Sequence, residues 1–233
     1  SVASRSYVLA QLAAQGKQLF DTDSSQYNQV FKYISEYSAE IARVREAVKK
    51  TAGTVLHDKD GSPLWAYYHA DCGGHTDEPD NVWNNHQFYG TTKDLNCPAR
   101  PNTNWEADLS LPLLNKKLLP LFETKSKIVS VSVGEKSKSG RVKNMIVKMA
   151  DGSVEKIRSN QFRQQLGFSW IRSTLFGMTQ IGSKYHLSGK GFGHGVGLCQ
   201  WGSRELAKAG TGYLAILKTY YPAAKIEKGK QLP

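Results

Sequence analysis

The sequence predicts an α+β fold, with helices packed on antiparallel β-sheet, and three patterns support this class. Apolar residues recur at helical spacing near both ends of the chain. β-Branched residues often alternate with polar ones in the middle of the chain, and turn residues separate these runs. No internal repeat interrupts this order. We therefore expect one domain over residues 1–233, with residues 124–158 as a candidate β-rich inserted subdomain.

The pattern of the first 70 residues predicts helices followed by a hairpin. We expect a helix with one apolar face over residues 2–15, then a polar loop, and then a short helix that runs to Tyr33. A clearer helix begins at Ser38 and ends at Gly53. Residues 54–57 and 64–69 are then strand-like, and an Asp-Gly pair between them predicts a hairpin turn.

The rest of the chain alternates between strand-like and helical patterns. A loop over residues 71–101 has no periodicity, and loops of this length in compact domains are usually functional. The elements predicted after it are three antiparallel strands within 127–157, a helix over 159–166, further strands within 170–188, a helix over 199–209, and a last helix from Thr211 to the residue before Pro222.

Composition excludes some protein classes and suggests an anionic partner. The chain of 233 residues is 39% hydrophobic and rich in aromatic residues, which excludes a disordered protein. We expect no membrane span, because no apolar run approaches the required length. A net charge of +11 fits nucleic acid, anionic lipid or bacterial wall polymer. No recognised nucleic-acid motif is present, so we expect no nucleic-acid partner.

The three cysteines allow two arrangements. The first is a Cys72–Cys97 disulfide that closes the long loop and leaves Cys199 as a small buried side chain. The second is a zinc site of His69, Cys72, His75 and Cys97, either structural or hydrolytic, since this spacing resembles part of a zinc-binding motif. The disulfide is favoured and no cofactor is expected, with zinc as the alternative.

Glycine occupies every second position of residues 189–197. If this glycine segment is extended, one face is bare and allows close approach of a ligand or of another strand. The alternative is that the glycines serve packing or a tight turn. The spacing matches neither a dinucleotide fingerprint nor a P-loop. His194 within the segment is an acid/base candidate, or else a structural histidine that donates to a carbonyl.

Aromatic and acidic residues flank the long loop. Rigid aromatic faces suit sugar rings and protein cores equally well. Asp71 and Glu78 are nearby carboxyl groups, the groups that glycoside cleavage requires. We expect the glycine segment and this loop to converge on one trough. The aromatic residues concerned are Trp65, Tyr67, Tyr68, Trp83, Phe88, Tyr89 and Trp105.

Separated motifs that occur in a fixed order along nearly the whole chain identify a family. These motifs are Val2-Ala3-Ser4-Arg5-Ser6-Tyr7, Ser25-Gln26-Tyr27, Thr51-Ala52-Gly53, Cys72-Gly73-Gly74-His75-Thr76 with Val82-Trp83, Phe162-Arg163, Ile171-Arg172-Ser173, Gly191-Phe192-Gly193-His194-Gly195-Val196-Gly197 with Gln200-Trp201-Gly202, and Ile216-Leu217 with Tyr220-Tyr221-Pro222. With them the chain resembles the SpoIID domain of stage II sporulation protein D and of LytB-type amidase enhancers.

This resemblance implies cleavage of peptidoglycan glycan strands. The sporulation members of the family act as lytic transglycosylases on peptide-free strands. In these enzymes a carboxylic acid protonates the bond between MurNAc and GlcNAc, and a 1,6-anhydro end forms. A muramidase that acts on modified strands is a related expectation. The family's general-acid glutamate is expected upstream of Ser1, so the candidates within this sequence are Glu78 and Asp71. The alternative is a non-catalytic peptidoglycan-binding module or amidase enhancer.

The resemblance also implies substrate contacts, partners and a location. Glycan strands are the expected partner, together with a cell-wall amidase for an enhancer, and the expected location is extracytoplasmic in a bacterium. Zinc ligands that some members carry before the Ser-Gln-Tyr motif have no counterpart in residues 20–25, which contain no Cys or His. The implied substrate-binding residues are Arg5, Tyr7, Gln26, Tyr27, Gly73, Gly74, His75, Thr76, Trp83, Phe192, His194 and Gln200.

Overall fold

A computed structural model describes residues 1–15, 39–83, 85–97, 103–124 and 126–229. Within these ranges it has helices and antiparallel sheets, and the predicted α+β class is confirmed. The helices are α1 (Val2–Gln15), α2 (Ala39–Lys50), α3 (Pro79–Val82), α4 (Leu111–Leu118), α5 (Ser159–Leu166), α6 (Gln200–Lys208) and α7 (Tyr213–Tyr220). The strands are β1 (Thr54–His57), β2 (Tyr68–His69), β3 (Asn104–Ser110), β4 (Ile128–Val133), β5 (Asn144–Met149), β6 (Val154–Arg158), β7 (Phe176–Ile181), β8 (Lys184–Lys190), β9 (Leu198–Cys199) and β10 (Lys225–Lys228).

The chain divides into two compact units. The first contains Ser1–Tyr67 and Tyr221–Pro233, and the second contains Tyr68–Tyr220. No helix of the described ranges is both long enough and apolar enough to cross a membrane. The domain boundaries predicted from the sequence remain a prediction.

The first unit is organised around the pairing of β1 with β10. These strands are antiparallel, with Thr54 opposite Lys228 and His57 opposite Lys225. Helix α1 packs on β1, where the buried Ser6 hydroxyl accepts a hydrogen bond from the Leu56 amide (2.9 Å) and donates to the Val2 carbonyl. One side chain thus satisfies a strand amide and a helix carbonyl at the same interface.

The predicted turn between residues 54–57 and 64–69 forms, but the antiparallel pairing beside it is short. An antiparallel bridge joins His57 to Pro63, and the Asp58 and Leu64 amides donate to the Ser62 and Leu56 carbonyls, both at 2.9 Å. Pro63 has no amide hydrogen to continue a ladder. The rings of Trp65 and Tyr67 instead pack against Tyr7. The predicted short helix that ends at Tyr33 lies outside the described residues.

Two antiparallel three-stranded sheets form the core of the second unit. One has the strand order β3-β8-β7, and the other has the order β4-β5-β6. The three strands predicted in residues 127–157 are confirmed, as is the helix over 159–166. Buried side chains of both sheets, of α4 and of α5 share one hydrophobic core. The Asn115 side chain of α4 bonds both the amide and the carbonyl of Ile128 at the start of β4, each at 2.9 Å.

Candidate functional site

The glycine segment is not an extended strand beyond Lys190, where β8 ends. Gly191, Gly193, Gly195 and Gly197 have φ values of +83°, +118°, +83° and +69°. Residues with side chains rarely adopt this region, so the backbone path itself requires glycine. The expectation of a strand with alternating faces is therefore corrected for residues 191–197.

The protein's own atoms fill the space beside these glycines. A Cβ on Gly191 would lie 2.8 Å from the Asp71 carbonyl oxygen, and one on Gly193 would lie 2.7 Å from the His69 Cβ. A Cβ on Gly195 would overlap the Arg141 guanidinium. The glycines thus allow close packing within the chain, which was the alternative to a bare face for ligand.

The glycine segment and the start of the long loop do lie side by side. Asp71 and Phe192 exchange two backbone hydrogen bonds of 2.9 and 2.8 Å. The Asp77 amide donates to the Gly195 carbonyl at 2.8 Å. The two segments that the sequence singled out therefore form one continuous backbone arrangement in the second unit.

Asp71 has no exposed surface from which to serve a substrate. Its Oδ1 accepts hydrogen bonds from the Cys97 thiol and the Gly73 amide, both at 2.8 Å, and its Oδ2 accepts one from the Thr103 hydroxyl at 2.8 Å. Burial raises the pKa of this carboxyl, and the Cys97 thiol adds to the increase. This geometry gives Asp71 a structural role rather than that of a proton donor.

Glu78 is better placed than Asp71 to act as an acid. It is only partly buried, and burial raises its pKa, while the Tyr89 amide bonds its Oε2 at 3.1 Å and opposes the increase. A carboxyl that is accessible and holds its proton more strongly than usual meets two requirements of a general acid.

The geometry of His194 fits a structural histidine. Its Nε2 donates to the Tyr68 carbonyl and its Nδ1 accepts from the Val196 amide, both at 3.0 Å. Burial, followed by the charge of His69, lowers its pKa well below the usual value. His69 is also buried, and burial first, then Arg141, lowers its pKa to about 4. Both imidazoles are thus neutral near pH 7.

Other implied contact residues of the second unit have varied surroundings. The centroids of the Trp83 and His194 rings are 4.9 Å apart. The guanidinium carbon of Arg172 lies 5.1 Å from the centroid of the Phe192 ring. Thr76 is buried, and its hydroxyl accepts from the Thr92 amide (2.8 Å). Gln200 is exposed at the start of α6.

The Gly-Gly-His part of the loop is a turn. Gly73 and Gly74 both have positive φ, and their amides donate to the Asp71 carboxylate and to the Cys72 sulfur. His75 is partly buried, which lowers its pKa, and its backbone bridges to Lys93. These residues shape the loop backbone through local bonds.

In the first unit, the two implied contact residues within the described ranges have structural contacts. Arg5 Nη1 donates to the carbonyls of Thr51 and Thr54, both at 2.8 Å. The Tyr7 side chain is buried, with its ring centroid 5.4 Å from that of Trp65. Gln26 and Tyr27 lie outside the described residues.

The structure corrects the predicted Cys72–Cys97 disulfide, because all three cysteines are free and buried. The Sγ atoms of Cys97 and Cys199 are 3.5 Å apart, whereas a disulfide bond is about 2.05 Å. Cys72 Sγ instead lies 3.5 Å from an Asp94 oxygen. Among the described residues these three cysteines and Asp94 form one cluster, which includes neither His69 nor His75.

Sequence reasoning missed Arg141, which is 1% exposed. Its guanidinium donates to the Cys72 carbonyl and to the Thr174 hydroxyl, and a Cβ on Gly195 would overlap it. Within the second unit, Arg141 therefore contacts both the long loop, at Cys72, and the glycine segment, at Gly195. No motif marks it, since a single arginine between surface-like lysines and serines has no local signature of burial.

A groove of about 600 Å³ lies beside these segments in the second unit. Trp105 and Phe176 line it together with Gly73 and Gly189. Polar side chains line it too, among them an exposed Lys190. The polar members of this lining are Asn104, Glu106, Ser188 and Lys190.

Comparisons with known proteins cover both units. A family model described as stage II sporulation protein matches residues 1–57, and one described as a domain of unknown function (DUF8618) matches residues 75–197. An uncharacterised protein of Brachyspira hyodysenteriae is 30% identical over 228 residues, which are 97% of this chain and 59% of that protein.

Two relatives with names are more distant. An amidase enhancer of Bacillus subtilis is 26% identical, over 79% of this chain and 32% of the relative. A stage II sporulation protein D of Bacillus amyloliquefaciens is 24% identical, over 88% of this chain and 59% of the relative. This chain thus spans less than two thirds of the length of these curated relatives. The model over residues 75–197 covers more than half of the chain, so the chain belongs to the family described as a domain of unknown function (DUF8618), and the match over residues 1–57 together with these relatives supports a SpoIID-family domain in it.

Proposed function

We propose that this protein has a cell-wall-related role in which it binds the glycan strands of bacterial peptidoglycan. The observation that carries the proposal is its family membership, with relatives named amidase enhancer and stage II sporulation protein D. Peptidoglycan lies outside the cytoplasmic membrane, so the proposed location is extracytoplasmic.

The groove in the second unit is the proposed strand-binding surface. The exposed side chains of Asn104, Glu106 and Ser188 offer hydrogen-bond partners for hydroxyl and acetamido groups. Trp105 and Phe176 are 5% and 4% exposed, so they contribute to the shape of the groove rather than an open surface for ring stacking. The Lys190 ammonium suits the lactyl carboxylates that a peptide-free strand exposes. The net charge of +11 favours approach to the same anionic polymer.

Strand cleavage is a second candidate function, and the raised pKa of Glu78 favours it. In this proposal Glu78 protonates the glycosidic oxygen between MurNAc and GlcNAc, and the bond from that oxygen to the MurNAc anomeric carbon breaks. The MurNAc 6-hydroxyl then closes on the anomeric carbon and gives its proton to the Glu78 carboxylate. The fully hydrogen-bonded Asp71 is not proposed for this step. A third role, assistance to a cell-wall amidase, is compatible with binding alone.

The binding proposal is tested by sedimentation of the purified chain with peptide-stripped sacculi. We expect the wild type to sediment with the wall and Lys190→Ala to bind at least several-fold more weakly. The matched control is Lys184→Ala, which removes the same charge from the exposed opposite end of β8. Equal binding by all three proteins would remove the groove from the proposal.

The cleavage proposal is tested on the same incubated sacculi by analysis for new anhydro-muramic ends. We expect wild-type chain to produce them and Glu78→Gln to lose about 100-fold or more in rate. Glu155→Gln, a change of an exposed glutamate on β6, is the control. Binding without new ends would leave a binding module or an amidase enhancer as the function.

A further inference from the structure

Four buried side chains that no part of the proposed function uses form a compact cluster in the second unit. They are Cys72, Asp94, Cys97 and Cys199, and one potential ligand atom from each lies within 4.8 Å of all the others. Cys72 follows β2, Asp94 and Cys97 belong to the loop after α3, and Cys199 ends β9. Three segments that are distant in the sequence thus bring their sulfur and carboxylate groups to one point.

The spacing of these atoms suits a tetrahedral metal ion. Cys97 Sγ is 3.5 Å from Cys199 Sγ, and Cys72 Sγ is 3.5 Å from Asp94 Oδ2. A zinc ion with bonds of about 2.3 Å to sulfur separates its sulfur ligands by about 3.8 Å. Small side-chain movements therefore suffice to place four ligands around one ion.

Backbone amides already point at the sulfur atoms. The amides of Cys72 and Gly202 donate to Cys199 Sγ at 3.3 and 3.4 Å, and the Gly74 amide donates to Cys72 Sγ at 3.4 Å. Such donors favour the thiolate that binds a metal over the neutral thiol. The Cys97 thiol donates to Asp71, whose carboxylate keeps the Gly73 and Thr103 donors when that thiol loses its proton.

The Asp94 carboxylate is oriented by outer partners. Its Oδ1 accepts from the amides of Asn96 and Cys97 at 3.1 and 3.2 Å, and its Oδ2 accepts from the Tyr220 hydroxyl at 2.7 Å. Asp94 is 3% exposed, and the ion pairs found among the described residues do not include it. A buried carboxylate normally has a cation or a metal as its partner.

The ligand chemistry selects the type of ion. Three thiolates with one carboxylate favour zinc over calcium or magnesium, which require oxygen ligands. Four protein ligands leave no open position for water or substrate, which is the arrangement of structural sites. We propose that Cys72, Asp94, Cys97 and Cys199 bind one Zn²⁺ that fastens the long loop to β9 and α6. Each thiol releases its proton to solvent when the ion binds.

The test is metal analysis of the full chain, purified in reducing buffer without a metal-affinity step. We expect one zinc per chain after gel filtration with added Zn²⁺. The chain loaded with Co²⁺ should show thiolate-to-cobalt charge transfer and the visible bands of tetrahedral cobalt. Cys199→Ser and Asp94→Asn should lose the zinc through gel filtration or release it to a chelator far more readily than wild type.

Tyr220→Phe is the graded control, since it removes a donor to Asp94 and keeps all four ligands. It should retain zinc and yet release it to a chelator about 10-fold or more faster. Wild-type chain that holds no zinc, gives no tetrahedral cobalt spectrum, or contains a disulfide between any two of the three cysteines would overturn the proposal. The cobalt spectrum of the wild type decides the matter even where a variant fails to fold.

Discussion

His69 gives the sharpest expectation at the scale of single residues. Its Nδ1 donates to the Val196 carbonyl at 3.0 Å, and its buried Nε2 makes no hydrogen bond with the described residues. The folded chain binds a proton there at a pKa of about 4, whereas the unfolded chain binds it near 6.5. Because the unfolded state takes up the proton first, acid favours unfolding.

We therefore predict that His69 makes the chain less stable as the pH falls from about 6.5 towards about 4. Its contribution between pH 7 and pH 5 is about 2 kcal/mol of unfolding free energy, measured by urea titration at each pH. His69→Gln should remove the share of this pH dependence that His69 supplies, so the loss of stability in acid becomes smaller than that of the wild type. His194 acts in the same direction, since its pKa is also lowered.

His186→Gln is the matched control for this prediction. His186 bonds the Asp108 carboxylate at 2.8 Å on the protein surface, and this contact raises its pKa. Its stabilising effect is thus present below its unfolded pKa and is lost as the pH rises, which is opposite to that of His69. The assignment to His69 would be contradicted if His69→Gln lost as much unfolding free energy in acid as the wild type. It would also be contradicted if His186→Gln no longer lost stability in acid.

The sequence showed which residues could take part in acid/base or metal chemistry, but the role of each one depends on packing between distant parts of the chain. His194 and Asp71 stood out because their side chains can do acid/base chemistry, and the fold then occupies those same atoms with backbone and thiol partners. The association of Cys199 with Cys72 and Cys97 had no local signal, because Cys199 is more than 100 residues from either. Arg141 was missed for the same reason.

At the scale of elements, the glycine segment joins β8 to β9 along a path that only glycine follows easily. Gly195 combines a φ of +83° with a Cβ position that overlaps the buried Arg141 guanidinium. Arg141 has little freedom to move, because it is held by the Cys72 carbonyl and Thr174. The segment therefore has two separate reasons for glycine at this position.

We predict that Gly195→Ala lowers the free energy of unfolding by about 3 kcal/mol or more, as overpacking adds to backbone strain. Gly152→Ala is the control, since Gly152 has a similar φ of +88° and a Cβ there would meet nothing within 4 Å. It should cost only about 1 to 2 kcal/mol. Urea unfolding of both variants at neutral pH makes the comparison, and equal losses would mean that Arg141 moves aside at no cost.

Elements with a local pattern were predictable, and their partners were not. The three strands β4, β5 and β6 follow from alternating β-branched residues and two glycine-containing turns, and α5 ends at Gly167 as helical punctuation predicts. The pairing of β1 with β10 joins residues about 170 positions apart, and no short-range signal specifies it. The Asp60-Gly61 turn was predicted correctly, but the antiparallel pairing beside it ends after the His57–Pro63 bridge and the hydrogen bond from Leu64 to Leu56, and the ladder of β1 is with β10.

At the scale of the whole molecule, the excess of positive charge is the feature with the widest consequence. There are 31 Lys and Arg residues against 20 Asp and Glu residues, and the basic residues are spread along the sequence rather than clustered. A diffuse charge attracts any anionic polymer over a distance set by the salt concentration. Attraction to the wall by charge and recognition of sugar in the groove must therefore be separated.

The salt dependence of binding separates attraction by charge from recognition of sugar, since the Debye length falls from about 10 Å at 0.1 M salt to about 3 Å at 1 M. We predict that binding to peptide-stripped sacculi weakens steadily over this range and that a residual affinity remains, because hydrogen bonds between the sugar and the uncharged groove side chains Asn104 and Ser188 are not screened by salt. Binding to neutral chitin oligosaccharides, measured by calorimetry at the same salt concentrations, should be almost unaffected. If sacculus binding disappears at 1 M salt and the neutral oligosaccharide does not bind at all, charge alone explains the attraction, and the groove has no role in it.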